Sequence, residues 1–123
     1  LEDGKPATLA WTKPAQAALA RIKVKLDISH HGGTKGKIAC DVEDSGSLTL
    51  SAAMLDGLKK LGVAGYPTVI VTRESSGTAA GAALTLKISS GVEQTVKIPG
   101  LVSCSKDTDC PSGQKCQTDR GCK

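Results

Sequence analysis

The stretch RIKVKLDI (residues 21–28) decides the fold of this chain, because its charged and apolar residues alternate without a break. Successive side chains of a strand point to opposite faces, so an alternation with a period of two residues is typical of a strand that buries one face. We therefore predict a half-buried strand at this position.

Similar patterns on both sides of this stretch predict a mostly β body of about seven short strands with one short helix. The further strands are predicted at residues 9–11, 38–42, 48–50, 67–72, 84–88 and 92–98. Ser89-Ser90-Gly91 predicts the turn of a hairpin between the last two of them. This number of strands and the spacing of their turns are typical of an immunoglobulin-like sandwich.

One segment breaks the strand pattern and predicts the short helix. Ser51 is a capping residue at its start, and Gly62 follows its last turn. Met54, Leu58 and Leu61 share one helical face. We expect this helix to cross one end of the sandwich between two strands.

The composition changes where the body ends. From Ser103 onward the chain has no large apolar residue, so this tail cannot fold by burying a core of its own. A segment of this kind needs covalent constraint, which disulfides supply in oxidising compartments. We therefore predict two units, an immunoglobulin-like sandwich at residues 1–100 and a disulfide-rich tail at 101–123, in an extracellular or periplasmic protein.

The cysteines of the tail are evenly spaced, at Cys104, Cys110, Cys116 and Cys122. Four cysteines allow three pairings. Pairing neighbours would give two separate small loops, whereas the interlaced pairing of first with third and second with fourth would tie the same residues into one clasp. Zinc sites favour cysteines that are separated by about two to four residues, so this wider spacing fits a zinc site poorly.

A fifth cysteine, Cys40, lies on the apolar side of the strand predicted at residues 38–42. The favoured interpretation is a free, buried thiol that packs as a small hydrophobic residue. The alternative is a disulfide to the tail, which would leave one tail cysteine free. A catalytic thiol is not expected, because the spacing of the histidines does not support a cysteine–histidine pair.

The tail carries the motif C-x2-D-x2-C-P-x3-K-C, which resembles the centre of the whey-acidic-protein four-disulfide module. It is also similar to the short cysteine-rich tails of exported bacterial surface proteins. The matching residues are Cys104, Asp107, Cys110, Pro111, Lys115 and Cys116. The resemblance to the module implies the disulfides Cys104–Cys116 and Cys110–Cys122. Protease inhibition does not follow, because the module's inhibitory loop lies in a part that this chain lacks.

The body resembles the immunoglobulin-like domains of exported bacterial lipoproteins, in the stretch KIACDVEDSGSLTL (residues 37–50) and the short helix after it. The lack of asparagine, and therefore of N-glycosylation acceptors, agrees with a bacterial exported protein. No methionine or signal-like segment begins the chain, so we expect a targeting signal upstream of Leu1. These features imply a secreted protein, either free or anchored at the cell surface.

Composition argues against two classes of partner. The net charge is +4 but forms no basic stripe, and Trp11 and Tyr66 are the only large aromatic residues, so nucleic-acid binding is not expected. No apolar run approaches the roughly 20 residues of a transmembrane helix. A sugar-stacking role for the two rings is less favoured than a core position for Trp11 and a sandwich-corner position for Tyr66.

Other candidate sites are weak. His30 and His31, at the end of a strand, would point to opposite faces, which favours a polar loop over a shared metal. The glycines and lysines after them do not fit the phosphate-loop motif. Asp107, Asp109 and Asp119 are too few for a calcium loop, and we expect Asp107 to brace the tail. We predict neither a metal site nor a cofactor.

No arrangement of nucleophile and base, or of paired carboxylates, stands out, so the chain is not expected to be an enzyme. We predict a non-enzymatic exported surface or structural module that serves adhesion, assembly or display, with an unidentified protein or cell-surface partner. The alternative is a ligand-binding module for a glycan or a protease. Such a module would use the loops at residues 30–36 and 74–81 or the tail.

Overall fold

The computed structural model describes residues 1–79, 81 and 84–123. These residues form six strands rather than the predicted seven, with one α-helix, and the fold is mostly β as predicted. The strands are β1 (Ala7–Ala10), β2 (Arg21–Asp27), β3 (Lys37–Glu43), β4 (Ser47–Leu50), β5 (Thr68–Thr78) and β6 (Thr85–Thr95). The α-helix, α1, is Ala52–Lys59, and short 3-10 helices lie at Ala17–Leu19 and Asp107–Asp109.

The strands pair antiparallel in two sheets. β1 pairs with β4, and the larger sheet has the strand order β3-β2-β5-β6. The strand predicted from RIKVKLDI is confirmed as β2, an inner strand of the larger sheet. Ile22, Val24 and Leu26 are each at most 2% exposed, and the charged residues between them lie on the other face.

The core lies where the buried face of β2 meets α1 and the pair β1–β4. Its buried members are Leu26, Ile28, Leu50, Leu55, Leu58 and Ile98. Burying each of these large side chains contributes about 1.5–3 kcal/mol relative to exposure. The core therefore lies against the end of β2 that leads to Ile28, and the β6 side of the larger sheet is exposed.

The predicted helix forms, and Ser51 caps it by accepting a hydrogen bond from the Met54 backbone N–H at 3.3 Å. Its predicted buried face is only partly right. Leu58 is buried, but Met54 is 47% exposed and Leu61 is 59% exposed, whereas Leu55 is fully buried. The helix has only eight residues and ends at Lys59, so Leu61 lies beyond it. The helical face that meets the core carries Leu55 and Leu58, and Met54 lies beside that face.

The predicted turn at Ser89-Ser90-Gly91 is wrong, because these residues lie inside β6. β5 runs on to Thr78 and pairs with β6 along its whole length. Gly91 lies opposite Thr72, where a Cβ at position 91 would come within 3.0 Å of the threonine hydroxyl. The glycine therefore permits the close approach of two strands and does not make a turn. Two predicted strands are thus a single strand.

The tail contains the disulfides Cys104–Cys116 and Cys110–Cys122, which is the interlaced pairing. It packs against the segment that precedes β5. The Gly65 N–H donates to the Asp119 carbonyl at 2.8 Å, and the Ser103 hydroxyl donates to the Gly65 carbonyl at 2.5 Å.

Two glycines allow this contact. A Cβ on Gly32 would lie 2.3 Å from the Gly65 nitrogen and 2.4 Å from the Asp119 carbonyl oxygen. Gly65 has a φ of +59°, and a Cβ there would lie 2.1 Å from the His30 carbonyl oxygen. Since all of these neighbours are backbone atoms, no larger residue fits without moving the chain.

Cys40 is a free thiol on β3, where it pairs with Val24 of β2. It is half-buried rather than fully buried, and it packs against the edge of the core. It makes no disulfide with the tail.

Replacing Gly32 by alanine should lower the free energy of unfolding by about 2 kcal/mol, because the new methyl group overlaps backbone atoms that cannot rotate away. Gly57→Ala is the matched control. Gly57 lies in α1 with no atom within 4 Å of a Cβ, so alanine should raise stability by about 1 kcal/mol. Thermal denaturation followed by circular dichroism measures both, and effects of the same sign would contradict this packing.

Strong reductant should unfold the tail and leave the body folded. Each disulfide contributes about 2–3 kcal/mol to the tail. The core side chains of β2, β4 and α1 all lie in the body, so unfolding of residues 104–122 removes from the body mainly the hydrogen bonds to Gly65 and Tyr66. Trypsin should cleave at Lys106, Lys115 and Arg120 only after reduction. The melting temperature of the Trp11 fluorescence signal should fall by less than about 5 °C. The variant Cys40→Ala should behave identically, and a fall of about 10 °C would contradict this limited dependence of the body on the tail.

Candidate binding cleft

A cleft of about 370 Å³ opens on the β6 side of the larger sheet. It forms because β1 pairs with β4 alone and stands over the inner strands, so the β6 side of the sheet remains open. Its walls are mainly aliphatic, and polar side chains lie among them. The lining residues are Leu9, Ala10, Trp11, Ile22, Val69, Val71, Arg73, Ser90, Gly91, Val92 and Gln94.

Behind the cleft, a buried carboxylate joins three segments of the chain. Asp44, which follows β3, is 2% exposed. Arg73 on β5 donates to its two oxygens, from Nε at 2.6 Å and from a terminal nitrogen at 3.2 Å. The Trp11 indole N–H donates to the same carboxylate at 2.7 Å. The Arg73 guanidinium also donates to the Thr12 carbonyl at 2.7 Å, which ties it to the chain after β1.

The two hydrogen-bonded partners determine the charge state of this carboxylate. Hydrogen bonding to the Arg73 guanidinium holds the pKa of Asp44 below its ordinary value of 3.8, against the opposing effect of burial, and the Trp11 N–H lowers the pKa further. Asp44 is therefore ionised at neutral pH and cannot serve as a general acid there, and its oxygens already accept hydrogen bonds from Arg73 and Trp11. The cluster binds the two sheets together and holds Trp11 at the edge of the cleft.

The opposite face of the larger sheet is charged. Glu74 on β5 lies between two lysines, 2.7 Å from the Lys23 ammonium and 2.9 Å from the Lys87 ammonium. Hydrogen bonds to Lys23 first, and then to Lys87, lower the pKa of Glu74. The bond to Glu74 in turn raises the pKa of Lys23. These three charges run across β2, β5 and β6 and end at the exposed edge of the sheet.

Trp11 and Tyr66 do not form a common site. Trp11 is half-buried and lines the cleft, so the predicted core position is wrong. The reason is its indole N–H, which is bound to Asp44 at the margin of the core. Tyr66 is half-buried ahead of β5, and its hydroxyl lies 2.5 Å from that of Ser105 in the tail. Tyr66 therefore makes a hydrogen bond at the end of the body, as the predicted corner position implies, and its partner is in the tail.

The loop that contains His30 and His31 differs from its prediction. Both residues follow the end of β2, and His31 has a φ of 61°. The strand alternation that would separate their side chains therefore does not apply, and the ring centroids are 3.9 Å apart. This loop packs against the tail through Gly32.

The other predicted ligand-binding loop, at residues 74–81, is mostly strand. Residues 74–78 belong to β5, and Ala80 lies outside the described residues. Glu74 faces the charged side of the sheet and is held by Lys23 and Lys87. The loop prediction is therefore wrong for most of its length, because pairing with β6 extends β5.

The acidic residues of the tail bind backbone groups. The Asp107 carboxylate accepts a hydrogen bond from the Cys116 N–H at 3.0 Å, so the predicted brace is present. Asp109 accepts from the N–H groups of Ser105 and Lys106, and the first of these bonds is the main cause of its lowered pKa. These carboxylates stabilise the turns of the clasp.

Three sulfur atoms of the tail lie at metal-ligand separations. The Sγ atoms of Cys104, Cys110 and Cys122 are all within 4.8 Å of one another. Each of them is bound in a disulfide, so none is available as the thiolate that a zinc site requires.

Sequence reasoning missed Asp44 and Arg73. The sequence did contain a signal for Arg73. One face of the predicted strand carries Val69, Val71 and Arg73, and an arginine on an apolar strand face needs an acidic or hydrogen-bonding partner. The sequence does not show which acid supplies it, because Asp44 is 29 residues away along the chain.

Comparisons of the chain with protein-family profiles, with curated proteins and with solved structures gave no match. Within the part of the chain that the structure describes, no helix is long and apolar enough to cross a membrane.

Asp44→Asn should lower the melting temperature at pH 7 by about 5 °C or more, because it leaves the Arg73 guanidinium without its ionised partner. Asp41→Asn is the control, since Asp41 pairs with Arg21 where both side chains are about half exposed, and such pairs contribute little.

The effect of Asp44→Asn should also depend on pH. A carboxyl group with a lowered folded-state pKa contributes stability above its unfolded pKa and loses it as the pH falls towards the folded pKa. The difference in melting temperature between wild type and Asp44→Asn should therefore be constant above about pH 5 and should shrink as the pH falls below 3.8. A difference that grows in acid would contradict the assigned ion pair.

Proposed function

We propose that this chain is a non-enzymatic structural module of an exported protein, with an immunoglobulin-like body that serves adhesion, assembly or display. The observation that carries the proposal is the disulfide-clasped tail. Its two bridges hold a segment that is mostly exposed, and Cys104 is its only fully buried cysteine. Such a segment persists only where disulfides persist, which favours a compartment outside the cytoplasm.

Strand pairing supports the immunoglobulin-like assignment. In that fold, strands B and E are neighbours in one sheet, and strands C, F and G, with C′ beside C in the variable type, form the other. The pair β1–β4 corresponds to B and E, and the order β3-β2-β5-β6 corresponds to C′-C-F-G. The helix α1 then lies in the connection from E to F, and the outer strands A and D have no counterpart among the described residues.

The chemistry of the cleft supports a non-enzymatic role. Its arginine is bound to Asp44 and to the Thr12 carbonyl, and its indole N–H is bound to the same carboxylate. Among the described residues, no buried side-chain nitrogen or oxygen lacks a hydrogen-bond partner. The buried polar groups beside the cleft therefore maintain the fold, and the polar residues of β6 that line it, Ser90 and Gln94, carry an uncharged hydroxyl and an amide.

The resemblance of residues 37–50 to exported bacterial lipoproteins favours a location at the cell surface. A short module of this kind would present its open sheet edge and cleft to other molecules, while the clasp closes the end that carries the core. The tail would then serve to protect that end rather than to recognise a partner.

A ligand-binding module is the second candidate, and the position of Trp11 favours it. An indole at the margin of an apolar cleft, with Gln94 and Ser90 nearby, offers a stacking surface and hydrogen-bonding groups to a sugar. A saturable change of Trp11 fluorescence with a soluble oligosaccharide, absent in the variant Gln94→Ala, would favour this candidate over the structural module.

The export proposal is tested by counting thiols. Protein isolated from its source without reductant and alkylated in denaturant should take up one label, at Cys40, because the other cysteines are bridged. After reduction, all 5 cysteines should be labelled, as intact mass and peptide mapping would show. Four or five labels without reductant would contradict an exported, oxidised protein.

A further inference from the structure

β6 is an open edge of the larger sheet. Among the residues that the structure describes, it pairs with β5 alone, and each of its 11 residues is exposed. Leu86, Ile88 and Val92 point to the same face of the sheet and are 60–64% exposed. Proteins usually protect such edges with prolines, bulges or repeated charges of one sign, because an unpaired strand binds other strands. This edge contains no proline and has one lysine and one glutamate.

The hydrogen bonds to β5 determine which backbone groups of β6 are available. One further hydrogen bond lies just beyond each end of the paired strands. The Val96 N–H donates to the Pro67 carbonyl, and the Ala79 N–H donates to the Leu84 carbonyl. In an antiparallel pair, hydrogen-bonded positions recur every second residue. The even-numbered residues of β6 therefore bond to β5, and the odd-numbered ones direct their N–H and C=O groups outward.

The sequence of β6 complements its own reverse. If a second copy lies antiparallel with Ser90 on the twofold axis, Lys87 lies opposite Glu93 of the second copy, and Ile88 lies opposite Val92. Each of these pairs occurs twice by symmetry. The register joins odd-numbered residues to odd-numbered ones, as the free backbone groups require, and it allows about twelve hydrogen bonds between the copies.

We propose that the partner of this edge is a second copy of the chain, bound through β6 in this register. The product is a symmetric dimer with one continuous eight-stranded sheet. The inference rests on the proposed structural function and names the partner through which the module assembles. If the dimer fails, an exported module with a different partner remains.

Charge complementarity selects this register. Lys23, Glu74 and Lys87 form a row of alternating charges that ends with a positive charge at the edge. Glu93 makes no ion pair among the described residues. In the dimer, Glu93 of the second copy extends the row of the first, and the four charges cancel. Opposite charges that face each other across strands contribute about 0.2–1 kcal/mol per pair.

The apolar face supports the same arrangement. Ile88 and Val92 of the two copies form non-hydrogen-bonded pairs, in which side chains approach most closely. Leu86 lies opposite Gln94 of the second copy, and Gln94 lines the cleft. The apolar row of one copy therefore continues into the mouth of the other copy's cleft. Pairing of β6 with β3 would instead be head-to-tail and would produce open chains of molecules.

Analytical ultracentrifugation of the full chain tests the proposal. Wild-type protein should show a monomer–dimer equilibrium with a dissociation constant in about the micromolar range. Glu93→Lys should weaken the dimer about tenfold, because the lysine at position 93 of each copy then faces Lys87 of the other copy and the two positive charges repel. Lys87→Glu should do the same with two glutamates. An equimolar mixture of the two variants should form a heterodimer at least as tight as the wild-type dimer, since every charged pair is again opposite.

Cross-linking tests the register. In a Cys40→Ala background, Ser90→Cys should form a disulfide dimer under mild oxidation, because the two positions meet at the axis with Cα atoms about 4.5 Å apart. Ser89→Cys is the matched control, since its two copies are offset along the strands by roughly 7–8 Å and should not join.

The two experiments decide the matter together. A dimer that responds to the charges and cross-links at position 90 supports the proposal. A chain that remains monomeric at about millimolar concentration overturns it, and so does growth into larger oligomers. Heterodimer formation that is no tighter than either variant's own dimer also overturns it. Circular dichroism and melting temperatures of the variants, compared with wild type, show that each protein in the comparison is folded.

Discussion

The carboxylate of Asp44 is removed from water, and an ionised group can be buried only where charged or hydrogen-bonding partners surround it. Arg73 and Trp11 are those partners. Because one lies on β5 and the other follows β1, their contact with Asp44 holds the smaller sheet over one part of the larger one. The position of β1 in turn leaves the β6 side of the sheet uncovered, and the cleft and the free edge both result from that placement.

The body and the tail are stabilised by different means. The body buries leucine and isoleucine side chains of β2, β4 and α1, so it can be maintained by the hydrophobic effect. From Ser103 onward the tail has no such residues and depends on two interlaced disulfides and on carboxylates that bind its turns. Gly32 and Gly65 join the two parts, because only glycine lets the backbones approach so closely. The clasp therefore contacts the body through backbone atoms and not through a large apolar surface.

The larger sheet changes character from one strand to the next. β2 is buried on one face and paired on both sides, whereas β6 is exposed along its whole length and paired on one side. The row of Lys23, Glu74 and Lys87 crosses the sheet from the buried strand β2 to the exposed strand β6 and ends at the open edge. An edge that combines exposed apolar residues with charges of both signs is suited to a specific strand partner rather than to solvent alone. This agrees with the proposed role in assembly.

The sequence by itself determined the features that depend on neighbouring residues. Alternation identified β2, Ser51 identified the start of α1, and the tail's composition identified a segment that needs disulfides. Only the tertiary structure decided which residues of β5 and β6 face each other, and pairing overrode the local turn signal at Ser89-Ser90-Gly91. It likewise brought Asp44 to Arg73, across 29 residues. The physical reason is that periodicity and capping are local, whereas strand register and the partner of a buried charge depend on segments that meet only after the chain has folded.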